Sequence, residues 1–81
     1  MSEIHVETIH IVVEVTKDDH RKIEFDHSQV TGQEIKEKAR VPVSDDLAKR
    51  EHGKLVYIAN SDLVPIKNGD HFAVFPAGTI S

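Results

Sequence analysis

Six histidines in 81 residues pose the question of a metal site. Zinc binds imidazole readily, but a site needs several ligands converging on one point. His5 and His10 lie five positions apart on one extended segment. An odd spacing on a strand puts them on opposite sides. His20 and His27 flank a second extended segment and point apart for the same reason. No His-x-x-x-His pair exists to set two imidazoles on one helix face. The histidines therefore read as solvated groups that titrate near neutrality, and no metal site is expected.

Asp18-Asp19-His20 has the residue types of a carboxylate–imidazole pair. It falls in a polar turn, where nothing excludes water, so it reads as a solvated turn. Asp45-Asp46 lacks the alternating acidic spacing of a calcium loop and reads as a helix cap. Ser28, Thr79 and Ser81 offer hydroxyls, but none sits in a strained strand-to-helix elbow. The chain has no cysteine, which excludes disulfides, thiolate zinc ligands and thiol nucleophiles. No catalytic residue, no cofactor and no enzymatic activity are expected.

Composition narrows the classes further. Lys and Arg number 10 against 14 Asp and Glu, giving a net charge of −4. That balance argues against nucleic acid, whose phosphates call for clustered cations. Hydrophobic residues at 38% and charged residues at 30% are ordinary for a globular domain. A domain this small buries about 60–65% of its unfolded surface, so its core is thin and leaves no room for a deep cleft. Glu3, His5, Glu7 and His10 interrupt the first ten residues, which rules out a signal-peptide hydrophobic region there. No apolar run approaches the roughly 20 residues that cross a bilayer. A cytoplasmic protein is the expectation, with no membrane partner.

The elements that must position any site emerge from periodicity. Residues 4–15 are rich in β-branched side chains and alternate, with Ile9, Ile11, Val13 and Val15 on one face. Residues 16–19 make a polar turn. His20 to Asp26 alternates again, with Ile23 and Phe25 inward, which completes an antiparallel hairpin. Thr31 and Glu34 have the spacing of a capping box, and Val30 and Ile35 that of a hydrophobic staple. The helix should run from Gly32 to Arg40, with Ile35 and Ala39 inward and Gln33, Lys36, Glu37 and Arg40 outward or sideways. Pro42 should end it. Residues 43–53 read as a connecting loop with at most one helical turn. Lys54 to Asn60 is a third strand, Leu63 to Ile66 a brief edge segment, residues 67–70 a turn, and His71 to Pro76 the last strand. The expected core is Ile11, Val13, Ile23, Phe25, Ile35, Ala39, Val56, Ile58, Phe72 and Val74. The fold class is α+β: a mixed sheet of four to five strands with one helix across one face. The domain spans residues 1–76, and residues 77–81 form a flexible tail.

Two stretches carry a family likeness. Val30-Thr31-Gly32-Gln33-Glu34-Ile35 is a strand exit into a capped helix. Val64-Pro65-Ile66-Lys67-Asn68-Gly69-Asp70 followed by His71-Phe72-Ala73-Val74-Phe75-Pro76 sets Gly-Asp before an alternating strand that ends in Pro. With this order and spacing, the chain resembles the ubiquitin-like β-grasp superfamily over nearly its whole length. The first stretch is similar to bacterial multiubiquitin-type domains. The second is similar both to these and to prokaryotic sulfur-carrier proteins. The resemblance implies a protein modifier whose C-terminal carboxylate is activated by a partner adenylating enzyme and passed on by a conjugating enzyme to protein targets. A sulfur carrier of the molybdopterin or thiamine type, or a non-conjugated interaction module, are the alternatives. The family usually ends in Gly-Gly, whereas this chain ends Ala77-Gly78-Thr79-Ile80-Ser81. A peptidase could remove Thr79 to Ser81 and expose Gly78, Ser81 could itself be the activated end, or the end is never conjugated.

The resemblance also makes the third and last strands neighbours. Leu55, Tyr57, Ala73 and Phe75 would then share the sheet face away from the helix as one partner-binding patch. In the other reading the small core wraps the sheet edge and takes Phe75 with it.

Overall fold

The first two alternating runs pair as a hairpin. In the computed structural model, which describes residues 8–77, β1 (Ile9–Glu14) and β2 (His20–Phe25) are antiparallel, with Ile11 opposite Ile23. Ile11, Val13, Ile23 and Phe25 are buried, as the alternation predicts. A short β3 (Gln29–Thr31) leads into α1 (Gly32–Ala39). The capping box forms in both directions. The Glu34 N–H donates to Thr31 Oγ1 at 3.1 Å, and the Thr31 N–H donates to Glu34 Oε1 at 3.0 Å.

The helix ends on its own backbone two residues before Pro42. Arg40 is left-handed (φ 61°), and the Arg40 and Val41 N–H groups donate to the Glu37 and Lys36 carbonyls at 3.1 and 3.0 Å. This double closure satisfies carbonyls the helix would otherwise leave open. Arg21 on β2 donates to the carbonyls of Ala39 and Arg40, tying the helix end to the hairpin. A left-handed non-glycine residue costs about 1 kcal/mol, and the Arg40 side chain is exposed. Arg40→Gly should therefore raise stability by about that amount, read as a higher urea midpoint at unchanged slope. A lower midpoint would show that the Arg40 side chain contributes more than its backbone loses.

Lys36, expected outward or sideways, is buried. It is 3% exposed, and its ammonium donates to the Val43 carbonyl at 3.1 Å and to Asn60 Oδ1 at 2.7 Å. Its long stem crosses from the helix to two loops, which helical periodicity alone does not reveal.

Residues 43–53 are not a loop. They contain β4 (Asp46–Glu51), which forms a hairpin with β5 (Lys54–Ile58). Asp45 lies in a turn and Asp46 opens this strand, so neither caps a helix. His52 (φ 49°) and Gly53 (φ 78°) make the two-residue connection, the left-handed pair that matches strand twist. The strand has no β-branched residue. It holds because Leu47 and Ala48 are fully enclosed between two neighbouring strands, a tertiary effect that outweighs local preference.

β6 (Leu63–Pro65) pairs antiparallel with β3, placing Val30 opposite Val64. β7 (His71–Phe75) then runs between β1, to which it is parallel, and β4, to which it is antiparallel. The sheet order is β2-β1-β7-β4-β5, with β3-β6 as a separate pair. The helix lies on the face carrying Ile11, Val13, Phe72 and Val74. This is an α+β fold of the β-grasp kind. The core adds Val30, Val41, Leu47, Val64 and Ile66 to the expected set. Val56 drops out: it points to the helix side but sits on the outermost strand, 48% exposed.

Candidate functional site

The C-terminal end of β7 and the sheet face opposite the helix carry the residues expected from the family resemblance to meet a partner. What fixes β7 is the turn before it. Gly69 adopts φ 88°, and the Asp70 carboxylate accepts the Lys67 N–H at 3.0 Å. The Gly69 N–H donates to the His10 carbonyl and the Val12 N–H to the Asp70 carbonyl, both at 2.9 Å. Asp70 is buried and faces the ammonium of Lys49 at 3.3 Å, and Lys49 also reaches Glu51 at 3.1 Å. Burial alone would lower the Lys49 pKa, but hydrogen bonds to Glu51 and Asp70 overcome it and raise it above 10.5. The Gly-Asp pair thus locks β7 into register between β1 and β4.

At its far end, β7 stops at Phe75, and Pro76 and Ala77 are exposed. Gly78, Thr79, Ile80 and Ser81 lie outside the described residues, as does His5.

The expected four-residue patch is corrected in two ways. Leu55, Tyr57, Ala73 and Phe75 do share the outer face, as their parity requires. However, β4 separates β5 from β7, so the two pairs are not neighbours. Between them stands Ala48, opposite both Ala73 and Tyr57 and itself enclosed. Ala73 is only 1% exposed. Arg50 on β4 and Glu14 on β1 flank it and meet at 3.3 Å, so their ion pair spans the strand that carries it. Phe75 is half-buried opposite Asp46, and one Asp46 carboxylate oxygen is buried with no hydrogen-bond partner among the described residues. Leu55 is half-buried and Tyr57 54% exposed. The exposed large apolar residues are Val43, Val56, Tyr57 and Leu63, and the last three line one groove together with Val64 and Pro65.

The described histidines are surface groups, and several have carboxylate neighbours. His10 faces Glu24 at 3.3 Å and His20 faces Glu14 at 3.4 Å, while Asp19 pairs with Arg21. Among the described residues, no group of three or more His, Cys, Asp or Glu could hold a metal ion. His27 is the most constrained. Its Nδ1 meets Asp26 at 2.7 Å and its Nε2 meets Glu34 at 3.5 Å, with its ring edge-on to Phe25. Hydrogen bonding to Asp26 raises the His27 pKa above 6.5 and lowers that of Asp26 below 3.8. The Thr31 backbone N–H, bound to its carboxylate, lowers Glu34 below 4.5. The His27 contribution to stability is full below pH 6.5 and fades as pH rises through the folded value. The carboxylate contributions are full above their ordinary values and fade as pH falls through the lowered ones. The cluster should therefore hold the β2–α1 corner best between about pH 4.5 and 6.5. Proton-detected titration should give His27 a pKa above 6.5 that falls in Asp26→Asn. A value at or below 6.5, or no change in Asp26→Asn, would refute the pairing.

No known family, curated protein or solved structure matches this chain. Among the described residues, no helix is long and apolar enough to cross a membrane.

Proposed function

We propose that this domain is a ubiquitin-like protein modifier, used at its C-terminal end by a partner adenylating enzyme. One observation supports this reading above the others. β7 is held on both sides by β1 and β4 and anchored at its start by Asp70, yet it ends at exposed Pro76 and Ala77. A rigid central strand thus delivers the chain to solvent at a fixed place. An enzyme that grips the domain would meet the chain at Pro76 and Ala77 without unfolding β7. The domain supplies recognition and a carboxylate, and the chemistry belongs to the partner.

The test is intact-mass analysis of the chain after incubation with ATP and extract of its native host. A C-terminal adenylate, a conjugate to a lysine amine, or loss of Thr79 to Ser81 is the expected result. A mass change matching sulfur for one carboxylate oxygen would instead identify a sulfur carrier. A C-terminus unchanged under every condition would overturn both and leave a binding module.

A further inference from the structure

The two edges of the five-stranded sheet differ in chemistry. β2 forms one edge and reads His-Arg-Lys-Ile-Glu-Phe, with charged side chains on both faces. Such charges guard an edge against further strand pairing. β5 forms the other edge and reads Lys-Leu-Val-Tyr-Ile. Beyond its ladder with β4, no backbone hydrogen bond reaches residues 54–58 among the described residues. Its side chains are apolar on both faces after Lys54, with Val56 48% and Tyr57 54% exposed. A strand that completes this edge must bring apolar residues to both faces as well.

We propose that β5 pairs with β5 of a second copy, antiparallel and two-fold symmetric about Val56. Three observations select this occupant. First, the strand is self-complementary in that register: Val56 meets itself on the helix side, and Leu55 meets Tyr57 on the outer side, twice. Cross-strand aromatic–aliphatic pairs of this kind stabilise sheets. Second, the charges match. Lys54 makes no ion pair among the described residues, and Asp62, just beyond β5, faces no cation there. Antiparallel pairing carries each Lys54 toward the other copy's Ile58 and Asp62 end. Third, the loop after β5 is already fixed. The Gly32 and Gln33 N–H groups donate to the Asp62 and Asn60 carbonyls at 3.2 and 3.1 Å, so the edge is presented in a set geometry. An isologous contact closes after two copies and builds no fibre. β5 is separated from β7 by β4, so the end of β7 stays accessible in the dimer.

A single edge strand makes a contact at the small end of protein interfaces, so the dimer is concentration-dependent. Sedimentation of the full chain from about 10 μM to about 1 mM should show the mass rising toward the dimer. V56K sets like charges opposite each other and should weaken association about tenfold or more. Its circular dichroism should stay that of the wild-type fold, because Val56 lies outside the core, with a thermal midpoint lowered by the like charge set opposite Lys49 on β4. Lys54→Glu should also weaken association while keeping the edge apolar. Amides in residues 54–58 should gain exchange protection as wild-type concentration rises. A wild-type chain that stays monomeric to about 1 mM overturns the proposal. So does a dimer that V56K and Lys54→Glu leave intact, since its interface would then lie elsewhere.

Discussion

Gly32→Ala should destabilise the domain by about 3 kcal/mol, the upper range for forcing atoms into a packed site. Local preference points the other way: in a helix, alanine is favoured over glycine by about 1 kcal/mol. Position decides the sign. A Cβ at Gly32 would stand 2.4 Å from the Ala59 carbonyl oxygen, 3.1 Å from its carbon and 3.0 Å from Ile58 Cγ2. The first of these is backbone and cannot swing aside. The same stretch is bound to the helix start through the Gly32 and Gln33 N–H groups, so moving it breaks the bonds that close the helix onto the sheet. Gly53→Ala is the natural control. It has φ 78° with nothing within 4 Å, so only conformational strain of about 1 kcal/mol is expected. Urea unfolding of both variants separates the two effects. A Gly32→Ala midpoint at or above that of Gly53→Ala would contradict the close approach.

The second large effect is at Asp70. Asp70→Ala should cost about 3 kcal/mol, because removing one partner of a buried pair leaves the other charge poorly compensated. Lys49 has a 13% exposed side chain and would retain only Glu51, whose side chain is 46% exposed. The Lys67 N–H would also lose its acceptor. Asp70→Asn can still accept that N–H and should cost less. The pH dependence is an independent check. The Lys49 pKa is raised on folding, so its contribution is full below pH 10.5 and is lost as pH rises through the folded value. Wild type should therefore lose stability toward strong alkali more steeply than Asp70→Ala. Parallel profiles would mean that the pair contributes nothing.

Much of this architecture is legible from local pattern. The β1–β2 hairpin comes from alternation, and the helix start from Thr31 and Glu34. The turn before β7 comes from Lys67-Asn68-Gly69-Asp70. Each of these signals lies within a few residues of the element it sets. β4 is different. Asp46-Leu47-Ala48-Lys49-Arg50-Glu51 has neither β-branched residues nor clear alternation, and its strand state comes from the neighbours that enclose it. The same strand accounts for the divided outer face. Parity correctly puts Leu55, Tyr57, Ala73 and Phe75 on one side, because alternation within a strand fixes the face. It does not fix which strands adjoin, and a strand with no local signal divides the patch. Lys36 is hidden for a related reason: its acceptors, Val43 and Asn60, belong to loops whose place depends on β4 and β5.

The parallel pairing of β1 with β7 bears on how the domain carries mechanical load. Val12, Val13 and Glu14 register with His71, Phe72 and Ala73 side by side and in the same direction. Ile9 and Phe75 consequently mark opposite ends of the two strands. Tension drawn between them acts along the ladder, so its hydrogen bonds are strained together in shear rather than opened one after another. A tether or a threading motor pulling at both places meets the sheet in its most resistant orientation.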